Sequence, residues 1–177
     1  MKLALQSLAA TAALCAAAAA SAHVTLRAGS APAGSSYDAA FSVGHACQGA
    51  QATTALAVQL PPGFRLQEAL PRPGWTLSAP PAGTPGGEVR WTAESPEAAL
   101  QGHDKAVFSL RGMLPETPGT LYFPVRQICD VGQADWVQLP EPGSSAKPAM
   151  PAARLELLAP DQPAAQAAPA GSAHSHH

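Results

Sequence analysis

The sequence predicts an all-β protein, an antiparallel β-sandwich with one disulfide. Three observations support this prediction. Apolar residues alternate with a period of two, which is typical of strands, and not with the 3.6-residue period of helices. Clusters of proline and glycine separate the alternating segments, and the chain contains 19 prolines and 15 glycines. Two cysteines, Cys47 and Cys129, lie within these segments or close to them.

The strands are predicted from alternation along the chain. From Leu121 to Cys129, every odd-numbered residue lies on one face of an extended segment. A second run, from Tyr37 to Val43, continues with the same parity to His45 and to the first cysteine. Further strands are predicted at 24–26, 56–60, 75–77, 89–92, 107–110, 136–139 and 155–158. Eight or nine short strands with turns between them favour a sandwich.

Composition divides the chain into three segments. Residues 1–22 contain one lysine, a long apolar run and the small-residue ending Ala20-Ser21-Ala22, which predict a secretory signal peptide that is cleaved after Ala22. Residues 23–158 predict one sandwich domain. Residues 159–177 are rich in alanine and proline and end in a short histidine tract, which predicts a disordered tail. We therefore expect an exported protein of the periplasm or cell envelope.

The pairing of the two cysteines follows from this expected compartment. In an oxidising environment, an isolated pair of cysteines most simply forms a disulfide. Cys47 and Cys129 would then close a long loop between two inward-facing positions. The alternative is a pair of free thiols or of thiolate metal ligands.

Charge and motifs exclude several classes of function. The formal net charge is −2, only 12% of the residues are charged, and basic residues do not cluster, so no nucleic-acid partner is expected. The sequence lacks Gly-x-Ser-x-Gly, His-Glu-x-x-His, P-loop and dinucleotide-binding motifs. We therefore expect a protein that is not an enzyme.

His23 would become the first residue of the processed chain, and this changes its chemistry. It would then carry both a free α-amine and an imidazole, which together can chelate one metal ion through two nitrogens. Such a pair suits the tetragonal preference of Cu(II), which also ranks highest among the divalent ions for nitrogen ligands. The alternative is that His23 merely marks the cleavage point. His45 and His103 are possible additional ligands, or else structural or solvated residues.

A set of ordered motifs along the domain matches a known family. They include Ala22-His23-Val24-Thr25-Leu26, His45-Ala46-Cys47-Gln48-Gly49, Val58-Gln59-Leu60-Pro61-Pro62-Gly63, Pro73-Gly74-Trp75, Leu121-Tyr122-Phe123-Pro124-Val125 and Gln127-Ile128-Cys129. Over residues 23–158, the sequence thereby resembles the YcnI-like family of exported bacterial domains. The resemblance implies a β-sandwich of the immunoglobulin- or cupredoxin-like type.

The resemblance also implies a copper site at the mature N-terminus. In the family, a mono-histidine brace holds copper, and this role falls on His23. A tryptophan beside the copper corresponds to Trp136, and an assisting acidic residue corresponds to Asp104. The implied cofactor is Cu(II), and the implied partners are periplasmic copper chaperones or copper-transporting membrane proteins. From the residues alone, Trp136 could equally be a core side chain.

The function expected from these observations is copper storage, delivery or homeostasis. One alternative is a copper-dependent oxidase or monooxygenase, which would need a second histidine, either His45 or His103, to complete its metal site. Another is a protein-interaction module of the cell envelope in which His23 has no metal role.

Overall fold

The computed structural model describes residues 23–160. The predicted signal peptide, and the predicted tail beyond residue 160, lie outside the described residues. Between residues 23 and 160 the chain forms thirteen strands and no helix. This part of the chain accordingly contains no helix that is long and apolar enough to cross a membrane.

The strands assemble into three sheets. In chain order they are β1 (Thr25–Leu26), β2 (Ser30–Pro32), β3 (Ser36–Val43), β4 (Ala52–Gln59), β5 (Arg65–Ala69), β6 (Trp75–Ser78), β7 (Glu88–Ala93), β8 (Leu100–Gln101), β9 (Ala106–Met113), β10 (Gly119–Phe123), β11 (Val125–Cys129), β12 (Gln133–Trp136) and β13 (Ala153–Leu158). One sheet has the order β1-β3-β9-β5, and a second has the order β12-β11-β4-β7-β6, with β8 paired to β4. The third has the order β10-β13-β2 and contains a parallel pair, β13 with β2, while the other pairs are antiparallel.

A single hydrophobic core joins the three sheets. Phe41 and Phe108 from the first sheet are fully buried, as is Trp91 from the second. Phe123 of the third sheet packs edge-to-face on Phe41, with ring centroids 5.6 Å apart. Across the core, the Trp91 and Phe108 rings lie 5.5 Å apart. The all-β antiparallel sandwich predicted from the sequence is confirmed.

The segment from Leu121 to Cys129 is buried on the predicted face, but it forms two strands. The odd-numbered residues are buried throughout. However, β10 pairs with β13, whereas β11 pairs with β4 and β12, so the chain passes from one sheet to another at Pro124. Proline has no N–H to donate to a strand partner, which suits it to this crossing point.

Other strands differ from the prediction in position. The strand predicted at 136–139 instead ends at Trp136, and the following Val137 and Leu139 are exposed. β2, β5 and β8 were not predicted. In β5 three of the five residues are polar and exposed. This strand lies at the edge of its sheet, and its pairing with β9 has a register shift between Leu66 and Glu68. Its sequence therefore shows little of the alternation that identifies half-buried strands.

The disulfide between Cys47 and Cys129 is confirmed. Their sulfur atoms are 2.05 Å apart and their Cα atoms 6.0 Å apart, and both residues are buried. Cys47 lies in the loop after β3, and Cys129 is the last residue of β11. The bridge thus fixes the loop that carries His45 against the second sheet.

Candidate metal centre

The candidate site residues lie at one end of the sandwich, which we call the histidine end: His23, His45, His103, Gln127 and Trp136. His23 is two residues before Thr25, which pairs with Ser42 near the end of β3. The loop that follows β3 carries His45. Antiparallel pairing of β1 with β3 therefore places the start of the domain beside the β3–β4 loop.

The structure brings His23 and Trp136 together, as expected from the resemblance. Their ring centroids are 5.5 Å apart and the ring planes are inclined at 64°, an edge-to-face contact. His23 is half-buried, and Trp136 is only 6% exposed. Aromatic pairs in this arrangement prefer such tilted geometry, because the positive edge of one ring meets the negative face of the other.

The Trp136 indole is oriented by Gln127. Its Nε1–H donates a hydrogen bond to Gln127 Oε1 over 3.1 Å. The amide nitrogen of Gln127 donates to the His45 carbonyl oxygen at 2.6 Å and to Thr53 Oγ1 at 2.8 Å. Gln127 is 1% exposed, so these partners take the place of water. The residue was not predicted to contribute to the site, although a glutamine at a buried position of an alternating strand is a signal that could have identified it.

His45 and His103 form a second pair. Their Nδ1 atoms are 3.0 Å apart, and their ring centroids are 5.2 Å apart at an interplanar angle of 80°. They line a cavity of about 750 Å³ whose wall also includes Gln127, Trp136 and Met150. Trp136 therefore contacts His23 and also lines the cavity of the histidine pair.

Asp104 lies in the exposed turn after β8, next to His103. Its backbone N–H donates to the Gln101 carbonyl oxygen at 2.8 Å, and its side chain is exposed. Within residues 23–160, no three His, Cys, Asp or Glu side chains converge on a point that could hold a metal ion. The participation of Asp104 in a metal site with His23 stays a prediction.

Two other carboxylates near the histidine end are held by hydrogen bonds. The Arg126 guanidinium lowers the pKa of Asp135 through a hydrogen bond of 2.8 Å, and the Gln133 amide also donates to this carboxylate. Backbone N–H groups of Ala52 and neighbouring residues lower the pKa of Asp130. Both side chains therefore stay ionised and accept several hydrogen bonds where they stand.

The donor set of His23 fits copper without a cluster of side chains. A single N-terminal histidine supplies two nitrogens, the α-amine and Nδ1, so a chelate does not require three converging residues. The amine becomes available only when the bond between Ala22 and His23 is cleaved. The indole of Trp136 is a donor-only group whose N–H is already used by Gln127, so it offers a shielding surface rather than a metal ligand.

A family model described as "Domain of unknown function (DUF1775)" matches residues 23–157. The chain belongs to the DUF1775 family. The matched range begins at His23 and ends one residue before the end of β13, so it covers all of the strands described above apart from Leu158. The YcnI-like resemblance is consistent with this family, whose description assigns no function.

A solved structure agrees with the fold of the DUF1775 domain. An uncharacterised protein from Nocardia farcinica with an immunoglobulin-like fold is 31% identical to this chain, with a TM-score of 0.66; the match covers 77% of this chain and 99% of that one. A chain of a cohesin–dockerin complex from Clostridium thermocellum also matches, over 77% of this chain and 98% of that one. Its identity is 11% and its TM-score is 0.45, which is too low a similarity to assign a fold or a function. No curated protein matches the chain.

Proposed function

We propose that this DUF1775 domain is an exported copper-binding protein that holds Cu(II) through the α-amine and imidazole of His23. Its role is copper storage, delivery or homeostasis. The observation that carries the proposal is the packing of His23 on Trp136, whose indole is itself fixed by the buried Gln127. Residues at the start of a domain are usually poorly ordered unless something ties them down. Here the first residue of the family domain is half-buried against an oriented aromatic ring.

The ligand chemistry favours Cu(II). The amine and Nδ1 supply two nitrogens in one plane, and water or the carboxylate of Asp104 would complete a tetragonal arrangement. Trp136 limits solvent access on one side and presents a polarisable face to the cation. The YcnI-like resemblance implies the same arrangement of histidine, tryptophan and copper.

The orientation of the other histidines supports binding rather than catalysis. A copper oxidase or monooxygenase of the histidine-brace type would require His45 or His103 to join His23 at one ion. Instead, the Nδ1 atoms of His45 and His103 face each other. We therefore propose that the protein is not an enzyme, and that copper chaperones or copper-transporting membrane proteins of the cell envelope are its partners.

Calorimetric titration with Cu(II) tests the role of the amine. The processed protein, beginning at His23, is compared with the same chain whose α-amine is acetylated. In both, the tail residues His174, His176 and His177 are replaced by glutamine. Acetylation removes the amine as a ligand but leaves every imidazole in place. We expect at least tenfold weaker binding, which corresponds to about 1.4 kcal/mol. Equal affinity would show that the amine is not a ligand, and the absence of copper binding by either form would favour the protein-interaction module.

Side-chain variants of the processed protein then test the site residue by residue. His23→Ala should abolish the tight binding of one equivalent of Cu(II). Asp104→Asn should weaken binding moderately, because it removes a negative charge that opposes the charge of the ion. Trp136→Phe keeps a ring against His23 and should change the spectrum of bound Cu(II) more than its affinity. Tight binding of one equivalent by His23→Ala would place the site elsewhere.

A further inference from the structure

The pair formed by His45 and His103 is held in place by the backbone around it. The Ala46 N–H donates to the Gly102 carbonyl oxygen at 3.0 Å, and the Gly102 N–H donates to the Gln51 carbonyl oxygen at 2.6 Å. These bonds join the loop that carries His45 to the loop that carries His103. The Cys47–Cys129 bridge and the hydrogen bond from Gln127 to the His45 carbonyl oxygen fix the first loop further.

The distance between the Nδ1 atoms of His45 and His103 matches the distance between two nitrogen ligands of one metal ion. Imidazole nitrogens bind zinc at about 2.0–2.1 Å. At that length, two nitrogens on one ion lie about 2.9 Å apart at a right angle and about 3.5 Å apart at the 120° angle of a three-coordinate site. The observed Nδ1–Nδ1 distance of 3.0 Å falls within this range. Without a metal, one Nδ1 must carry a proton and the other accept it, so an ion would take the place of a single shared proton.

The wall of the cavity favours a soft ion of low charge. It contains Met150, whose thioether is a ligand that selects Cu(I), whereas the nearby thiols of Cys47 and Cys129 are consumed in the disulfide. Its charged or chargeable side chains are those of the two histidines, and no carboxylate belongs to the lining of this cavity in the described part of the chain. Neutral donors next to apolar residues such as Ala134 compensate a divalent ion less well than a monovalent one.

We propose that His45 and His103 form a second metal site, which binds Cu(I) through the two Nδ1 atoms with Met150 as a third ligand. This site is separate from the one at His23 and does not depend on the α-amine. Trp136 is adjacent to both, since its ring contacts His23 and also lines the cavity. The domain would thus offer a Cu(II) site with nitrogen ligands and a Cu(I) site with nitrogen and sulfur ligands, both next to the indole of Trp136.

The test uses the processed full-length chain with His23→Ala and with the tail histidines changed to glutamine, so that neither the first site nor the tail contributes. Cu(I) is titrated anaerobically against a chromophoric Cu(I) chelator, with ascorbate as reductant because it leaves the disulfide intact. We expect one equivalent of Cu(I) to bind. His45→Gln or His103→Gln should weaken this binding at least tenfold, and Lys105→Gln, an exposed change in the same loop as His103, should leave it unchanged.

Met150→Leu isolates the thioether, because leucine has nearly the same volume and lacks the sulfur. This variant should bind Cu(I) several-fold more weakly and Zn(II) as the parent does, and X-ray absorption of the parent should show two nitrogens and one sulfur around Cu(I). If both histidine variants bind Cu(I) as the parent does and have the same melting temperature, His45 and His103 form a hydrogen bond and not a metal site. Displacement of Cu(I) by equimolar Zn(II) would overturn the choice of ion. Neither outcome bears on the site at His23, which is absent from every protein in this test.

Discussion

Gln127→Leu removes the side chain that holds Trp136 and the His45 carbonyl group in place at the histidine end. The leucine side chain is similar in size but can neither accept from Trp136 nor donate to its two partners. The change leaves three polar groups without their present partner: the Trp136 N–H, the His45 carbonyl oxygen and the Thr53 hydroxyl. We expect the variant to fold with a clearly reduced free energy of unfolding.

The magnitude follows from the burial of those groups. A buried donor or acceptor that loses its partner costs about 1–3 kcal/mol. The His45 carbonyl oxygen lies beside the cavity, where water can replace the amide, and the Thr53 hydroxyl can rotate toward Cys129 Sγ, 3.8 Å away. The Trp136 N–H, on a residue that is 6% exposed, would bear most of the loss. We therefore expect a total of about 3 kcal/mol, a large share of the roughly 5–15 kcal/mol typical of a domain.

Urea denaturation of four proteins measures this effect. The parent is compared with Gln127→Leu, with Trp136→Phe and with the double variant. Because both single changes remove the same hydrogen bond, the double variant should be less destabilised than the sum of the two by about 1 kcal/mol. Gln133→Leu is the matched control, since its amide makes one exposed hydrogen bond on β12 and its loss should cost less than about 0.5 kcal/mol.

Two results would refute this reasoning. A Gln127→Leu protein as stable as the Gln133→Leu control would show that the buried amide contributes nothing net. Strict additivity of Gln127→Leu and Trp136→Phe would show that the two side chains do not act through one hydrogen bond. In either case, Gln127 would not be the residue that holds Trp136 in position for His23.

Three further predictions concern the frame around the site. Replacing both Cys47 and Cys129 by alanine should lower the free energy of unfolding by up to about 4.5 kcal/mol, because the bridge spans 82 positions. Mass spectrometry of the native parent, processed so that it begins at His23, should find no alkylatable thiol, and two would contradict the bridge. Gly112→Ala should lower the free energy of unfolding, measured by urea denaturation, by at least about 2 kcal/mol, because the new Cβ would lie 2.4 Å from the Phe64 ring. A neutral effect would show that the core adjusts easily at this position. Asp130 has a lowered pKa in the folded protein. Its contribution to stability is therefore present above the ordinary pKa of about 3.9 and is lost as the pH falls through the lower pKa of the folded state. Between pH 6 and pH 2.5 the urea midpoint should fall less steeply in Asp130→Asn than in the parent, and parallel curves would contradict this.

Alternation along the strands identified the buried faces but not the partners of the strands. The odd-numbered residues from Leu121 to Cys129 are all buried, as predicted, because side-chain direction depends on local backbone geometry. The passage from one sheet to another at Pro124 depends on which distant strands come alongside, and a local pattern does not encode that. The edge strand β5 was missed because three of its five residues are polar and a register shift between Leu66 and Glu68 interrupts its alternation.

The site was predictable only where chemistry or resemblance marked a residue. His23 stood out because processing would give it two nitrogen donors, and Trp136 was identified through the family resemblance. The contact of His45 with His103 could not be foreseen, because two loops from different parts of the chain meet only after the sheets have formed. Met150 lies in a region with no alternation and gave no signal in the sequence.

The central claim is that the amine and imidazole of His23 together hold Cu(II). Electron paramagnetic resonance of one equivalent of Cu(II), bound to the correctly processed protein labelled with ¹⁵N-histidine, tests this most directly. We predict a tetragonal spectrum whose nitrogen couplings arise from one histidine residue, and the signal should be lost in His23→Ala. Couplings from the imidazoles of two different residues, or an unchanged spectrum in His23→Ala, would contradict the account.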